Sequence, residues 1–142
     1  MEEAMEYFYK NKIVWTGDKK GVLSSDGKPD IEIAAPPEFK GREGMWTPED
    51  FYVAAASSCI LFTFMSIAGR KKIEIESFES EATGKLEMKD GKALMTEVNI
   101  KIDIKAKKTD DSGAVAEIVK AAEKNCLISN SMTAKVTVEL GR

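Results

Sequence analysis

Histidine is absent from this 142-residue chain, and the absence removes whole classes of chemistry. Neither a Ser-His-Asp triad nor a Cys-His pair can be assembled, and a zinc ion would find only two thiolates and carboxylates, a poor donor set, so no metal is expected. Cysteine is scarce, with two residues in all. The segment ahead of the first expected strand is short and acidic, without the basic region and apolar run of a secretion signal, so a cytoplasmic location is expected. In that setting two thiols point to free, catalytic or redox-active cysteines and not to a structural staple. There is no excess of positive charge either. The net charge is −3 and the basic residues are mixed with acidic ones, which leaves no electrostatic footprint for nucleic acid.

Charge is missing locally as well. From Phe51 to Gly69 no residue carries one, in a chain that is 32% charged. Thr47 as cap, Pro48 at the first helical position, Glu49 and Asp50 at the positive end of the dipole, and Gly69 followed by Arg70, Lys71 and Lys72 frame this run as a helix. Ser57, Ser58, Cys59, Thr63 and Ser66 dilute it relative to a membrane span, and long polar strands flank it, so a core helix is expected and no membrane partner. A helix apolar on every face must be surrounded, and one small domain is a thin wrapping for it, which predicts a homodimer. Phe62, Phe64 and Met65 are the expected dimer core.

Around this helix the pattern is β. Met5 to Thr16 is aromatic and β-branched and leads into turn chemistry at Gly17 to Gly21, predicting an opening antiparallel hairpin. Asp26-Gly27 predicts a second turn ahead of Ile31 and Ile33, and Pro36 to Gly44 a loop into the helix. Phe78, Ser80, Ala82, Gly84, Leu86 and Met88 alternate with charged residues, as do Val98, Ile100, Ile102 and Ile104 with polar ones, with Asp90-Gly91 as the hairpin turn between them. Asp111 and Ser112 open a second helix to about Asn125, with Val115, Ile118, Val119 and Ala122 as its apolar stripe. A short turn, Leu127 to Met132, precedes a last strand, Lys135 to Leu140. Strands in blocks, without regular alternation with helices, define an α+β fold of antiparallel sheets around a long buried central helix and a second, shorter helix.

Cys59 sits at the centre of the uncharged helix behind the small residues Ala54 to Ser58, which let a backbone or a substrate approach. Cys126 lies where one helix ends and a helical turn begins, a place whose free N–H groups stabilise a thiolate. Two readings stand for each: a small buried hydrophobe, the commonest state of a free cysteine, or a sheltered nucleophile. They are too far apart in sequence for a CxxC loop, so any pairing is tertiary.

Pro36-Pro37-Glu38-Phe39, Gly41, Gly44, Trp46-Thr47-Pro48-Glu49, Ala54-Ala55-Ala56-Ser57-Ser58-Cys59 and Ala122-Glu123-Lys124-Asn125-Cys126-Leu127-Ile128-Ser129-Asn130-Ser131 together resemble the OsmC/Ohr family of thiol peroxidases, in its OsmC-like branch. The resemblance implies a single OsmC-like domain over residues 1–142, an intertwined homodimer with active sites at the interface, and no cofactor. It implies a peroxidatic Cys59 whose thiolate takes the outer oxygen of an organic hydroperoxide, releasing the alcohol and leaving a sulfenic acid. Cys126 would resolve it as a Cys59–Cys126 disulfide, restored by a dithiol or lipoylated protein. Glu49 would be the acidic site residue, although ten residues of helix span about 15 Å, so it would act through a network or across the interface. Apart from the resemblance, Glu49 reads equally as a carboxylate favoured by the helix dipole.

Two departures stand out. The residue after the second cysteine is Leu127 where better-studied members carry proline, and Lys19 stands where the family has an arginine. Lysine supplies charge without a planar fork. Arg42 could serve in its place or be an exposed loop cation. Trp46 and Phe39 read either as lining an apolar hydroperoxide pocket or as loop anchors for the core. The lysine leaves a rival function, a catalytically weak protein that holds a small apolar ligand in the same cavity.

Overall fold

The computed structural model describes residues 5–141. They form two compact units that divide after Pro48.

The first unit is a three-stranded antiparallel sheet in the order β1-β2-β3, with β1 at Lys12–Gly17, β2 at Lys20–Ser24 and β3 at Ile31–Ala34. Strand β1 begins at Lys12 and not at Met5. Residues 5–11 make no strand, and Tyr7, Phe8 and Tyr9 are exposed. Their β-prone side chains have no ladder to join within this unit, and propensity without a partner strand does not form a sheet. Asp18 and Lys19 form the first turn, helped by positive φ at Gly17 and Asp18 (119° and 52°). The Trp15 indole N–H donates to the Asp18 carbonyl at 2.7 Å. The Asp26-Gly27 turn falls between β2 and β3 as expected, closed by the Lys28 amide on the Ser25 carbonyl.

The second unit holds helix α1 (Pro48–Arg70, entering it at Glu49), the long hairpin β4 (Ile75–Lys89) and β5 (Lys92–Ala106), helix α2 (Ser112–Asn125), the single-turn helix α3 (Leu127–Asn130) and strand β6 (Lys135–Leu140). Both residues of the Asp90-Gly91 turn have positive φ (51° and 78°), the type I′ geometry whose twist matches the strands it joins. The sheet order is β4-β5-β6. Its last pair is parallel, so the expectation of purely antiparallel sheets holds for the first unit and for β4 with β5 but not for β6. The cause is connectivity: α2 and α3 carry the chain back across the sheet, and a crossover of that kind returns a strand in the same direction. Glu123 on α2 fastens the crossover, its Oε2 accepting the Val138 amide at 2.9 Å.

Helix α1 is buried along one stripe, Ala56, Ile60, Phe64, Ile67 and Ala68. Ala56 and Ile60 pack with Val98, Ile100 and Ile102 of β5 and with Cys126 and Ala134. Phe64, Ile67 and Ala68 pack with Val115, Ile118, Val119 and Ala122 of α2, the stripe foreseen in the sequence. Gly84 permits the close approach of helix to sheet, since a Cβ there would collide with Val53 Cγ2. Phe64 therefore belongs to the core of its own chain, tilted against Phe78 at 5.5 Å between ring centres, and is not available as dimer core. Phe62 and Met65 are exposed at 68% and 41%, so the packing within the second unit leaves an apolar face of α1 uncovered.

The helix ends within the segment Gly69 to Lys72, as expected. It runs to Arg70 and closes in a Schellman motif, with Lys72 left-handed at φ 56°, the Lys72 amide on the Gly69 carbonyl and the Ile73 amide on the Ala68 carbonyl. Ile73 packs onto the cluster that contains Ala68, and this apolar contact across the end of the helix holds a non-glycine residue in the left-handed position.

Candidate active site

The structure brings the two cysteines together within the second unit. Cys59, on the face of α1 beside Ala56 and Ile60, is half-buried, and Cys126 is fully buried in the cluster against which Cys59 packs. Both are free thiols, and Cys59 packs against the cluster that contains Cys126, near enough for each sulfur to alter the ionisation of the other. Their positions follow from the packing of α1 on β5 and from the α2–α3 junction. That junction is stitched by Asn125 Nδ2 on the Ala121 carbonyl at 2.8 Å and Asn130 Nδ2 on the Lys124 carbonyl at 3.1 Å.

The two thiols are electrostatically unlike. Burial pushes Cys59 up, but hydrogen bonds from the Ile128 amide, the Cys126 thiol, the Thr63 hydroxyl and the Leu127 amide outweigh it and hold Cys59 below the ordinary thiol range. Thr63 is one helical turn on, with Oγ1 at 3.8 Å from Cys59 Sγ. For Cys126 burial dominates. Hydrogen bonds from Ser129 oppose it, the neighbouring Cys59 adds to it, and the thiol is held above the ordinary range. Cys126 is the N-cap of α3, its sulfur accepting the Ser129 amide at 3.5 Å and the Ser129 hydroxyl at 3.1 Å. The pair thus offers one thiol that ionises more readily than an ordinary thiol and one neighbour that keeps its proton longer, the order suited to nucleophilic attack followed by condensation.

Glu49 lies in the first turn of α1, and its Oε1 is shielded from solvent with no hydrogen-bond partner among the described residues. The positive end of the helix dipole favours a carboxylate there, but a buried oxygen without a donor is unfavourable until something supplies one. In the first unit, Lys19 sits in the β1–β2 turn and its ammonium donates to the Phe39 carbonyl at 3.0 Å. Arg42 makes an exposed 4.0 Å ion pair with Asp18, an arrangement worth at most about 1 kcal/mol. Trp46 bridges to Ile33, its carbonyl accepting the Ala34 amide, but its ring is 56% exposed and Phe39 is 40% exposed, so neither anchors a core within the chain. An open cleft of about 650 Å³ in this unit, walled by Phe8, Tyr9, Leu23 and Ile31, contains none of the candidate residues.

Thr63 and Ser129 contact the thiols without having been singled out for it in the sequence. The signals were present: a hydroxyl four residues beyond Cys59 shares its helix face, and Cys-x-x-Ser at the start of a helical turn has the spacing of an N-cap and its N3 partner.

Residues 41–141 match the family of OsmC-like proteins, and the chain belongs to that family. The protein YmaD of Bacillus subtilis is 25% identical over 142 residues, spanning 96% of this chain and 93% of its own. Among solved structures, an OsmC-like protein of Vibrio cholerae superposes with a TM-score of 0.87 at 24% identity, covering 96% of this chain and 100% of that one. The organic hydroperoxide resistance protein OhrB of Bacillus subtilis superposes with a TM-score of 0.69 at 25% identity, covering 94% and 98%. The α+β architecture is therefore the OsmC fold.

Proposed function

We propose that this protein is a cysteine-based peroxidase that reduces organic hydroperoxides to alcohols. The observation that carries the proposal is the packing of half-buried Cys59, held below the ordinary thiol range, against the cluster that contains buried Cys126, held above it. Family membership and the likeness to an organic hydroperoxide resistance protein support a redox role in defence against oxidative stress. The Cys59 thiolate attacks the outer peroxide oxygen, the O–O bond breaks, and the alkoxide leaves as alcohol after taking a proton. Cys126 then attacks the sulfenic sulfur, expelling water and forming the disulfide. A dithiol, free or carried as a lipoyl group on a protein, restores both thiols, and no cofactor takes part.

The working form is a cytoplasmic homodimer of single OsmC-like domains spanning residues 1–142, whose partner covers the apolar face at Phe62 and Met65. Lys19 acts in the arginine position as a cation without a fork, and Glu49 Oε1 receives its missing donor from substrate or from the second subunit. The test is steady-state consumption of an alkyl hydroperoxide with a dithiol. Wild type should turn over, Cys59→Ser should be inactive, and Cys126→Ser should consume about one equivalent per site and stall. Turnover by Cys59→Ser at the wild-type rate would end this reading. The rival reading, a protein that binds a small apolar ligand without turning it over, is favoured by one observation: the Lys19 ammonium is already bonded to the Phe39 carbonyl. It predicts no peroxide consumption by any form.

A further inference from the structure

A disulfide between Cys59 and Cys126 would join two unequal sulfurs. Cys59 is half-buried and open to an approaching reagent, whereas Cys126 is enclosed by Ala56, Ile60, Val98, Ile100 and Ala134. Thiol–disulfide exchange is directional: the reagent attacks one sulfur and the other must leave with the electron pair, more easily the better its negative charge is accommodated. Negative charge at Cys126 would arise among aliphatic side chains, where an unpartnered anion is strongly disfavoured. Ser129 meets this need through its hydroxyl, 3.1 Å from Cys126 Sγ, and its own amide, 3.5 Å away.

We propose that access directs the reductant to Cys59 and that Ser129 makes Cys126 able to leave, its two hydrogen bonds opposing the cost of charge among the aliphatic side chains. The thiolate of the reductant attacks Cys59 Sγ and forms a mixed disulfide. The Cys59–Cys126 bond breaks, and its electron pair passes to Cys126 Sγ, which Ser129 holds by two hydrogen bonds. The second thiol of the dithiol gives up its proton, which Cys126 takes, and the resulting thiolate attacks the reductant's own sulfur in the mixed disulfide. The dithiol departs oxidised by two electrons as its internal disulfide, and Cys59 is released as thiolate. The inference rests on Cys59 and Cys126 forming a reversible disulfide, as the proposed function requires, but it does not need peroxide to be the oxidant.

The experiment therefore makes the disulfide with diamide, an azo oxidant of dithiols, and follows its reduction by dithiothreitol across pH in wild type, Ser129→Ala and Ser129→Thr. Loss of the hydroxyl should slow reduction about tenfold at neutral pH, and Ser129→Thr, which restores a hydroxyl, should return most of the rate. A structural role alone would lower the melting temperature without this rescue. Independently of any variant, wild-type disulfide treated with a monothiol and quenched in acid should carry the adduct on Cys59. Adducts on Cys126, equal rates in wild type and Ser129→Ala, or no Cys59–Cys126 disulfide with diamide would each overturn the proposal. A disulfide that forms with diamide but not with organic hydroperoxide, and shows the Ser129 dependence, would reject the peroxidase reading and leave this one standing.

Discussion

Replacing Leu127 by proline would remove the smallest of the four influences that lower the Cys59 thiol and little else. The Leu127 side chain is 68% exposed, so its removal sacrifices little packing. The position is the first of α3, where an N–H has no carbonyl partner inside the helix and proline is tolerated. Cys126 before it is extended, at φ −71° and ψ 112°, which is the conformation a residue preceding proline prefers. What disappears is the Leu127 amide that helps to hold the Cys59 thiolate. A hydrogen bond to a charged group contributes about 1.5–3 kcal/mol, and the Leu127 amide, the smallest of four influences lowering a partly exposed thiol, falls below that range. Since about 1.4 kcal/mol corresponds to a factor of ten, the thiolate fraction near neutral pH should fall by less than that factor. Iodoacetamide alkylation of Cys59, resolved by peptide mass against pH, would show a rise in the titration midpoint in Leu127→Pro and none in Leu127→Ala, which keeps the N–H. Thermal stability should hold or increase slightly, because proline at a compatible position restricts the unfolded chain. If Leu127→Pro folds and Cys59 titrates as in wild type, the backbone amides at the start of α3 are not what lowers this thiol.

Phe64→Ala should destabilise the protein by about 3–5 kcal/mol, since it empties the fully buried junction between α1, α2 and Phe78; a loss below about 1 kcal/mol in urea denaturation would remove Phe64 from the core. Lys72→Gly should stabilise by about 1 kcal/mol, a rise of roughly 2–4 °C in Tm for a chain of this size, because glycine adopts the left-handed conformation without the Cβ clash. An unchanged or lower Tm would show that Lys72 carries no strain. Cys59 reactivity toward iodoacetamide should persist below the ordinary thiol range and fall as pH drops through its lowered pKa, while Cys126 should remain unreactive until higher pH; the opposite order would contradict the assignment of the two thiols. If Lys19 supplies charge in the arginine position, Lys19→Arg should raise turnover with alkyl hydroperoxides, and identical rates for wild type, Lys19→Arg and Lys19→Ala would exclude Lys19 from the reaction. Light scattering should show a dimer that does not release a folded monomer on dilution, as an interface of about 2,000 Å² or more requires, and a monodisperse monomer at micromolar concentration would refute it.

The parts of the fold legible in the sequence are those written in local chemistry. Alternation with Asp90-Gly91 between the runs marked β4 and β5, and the stripe Val115, Ile118, Val119 and Ala122 marked α2 and its buried face. Direction was not legible for β6, because alternating residues look the same in parallel and antiparallel pairs. The segment that ends α1 was legible, but not which of its residues turns left-handed. Glycine is the usual sign of a left-handed helix end, yet here the contact of Ile73 with the cluster around Ala68 places that conformation on Lys72. Within the site, the resemblance paired Cys59 with Cys126, while their separation in sequence left the pairing open. The unlike surroundings of the two sulfurs depend on Ser129, Thr63 and two backbone amides, which meet only once α1 lies against α3.

The most direct test of the central claim is a single-turnover oxidation. Fully reduced wild-type protein is mixed with one equivalent of an alkyl hydroperoxide, quenched in acid and examined by intact mass and peptide mapping. The account predicts the loss of two hydrogen atoms, a peptide linked through Cys59 and Cys126, and one equivalent of alcohol. Alcohol formed while both thiols remain unmodified, or peroxide left unconsumed by the reduced protein, would contradict it.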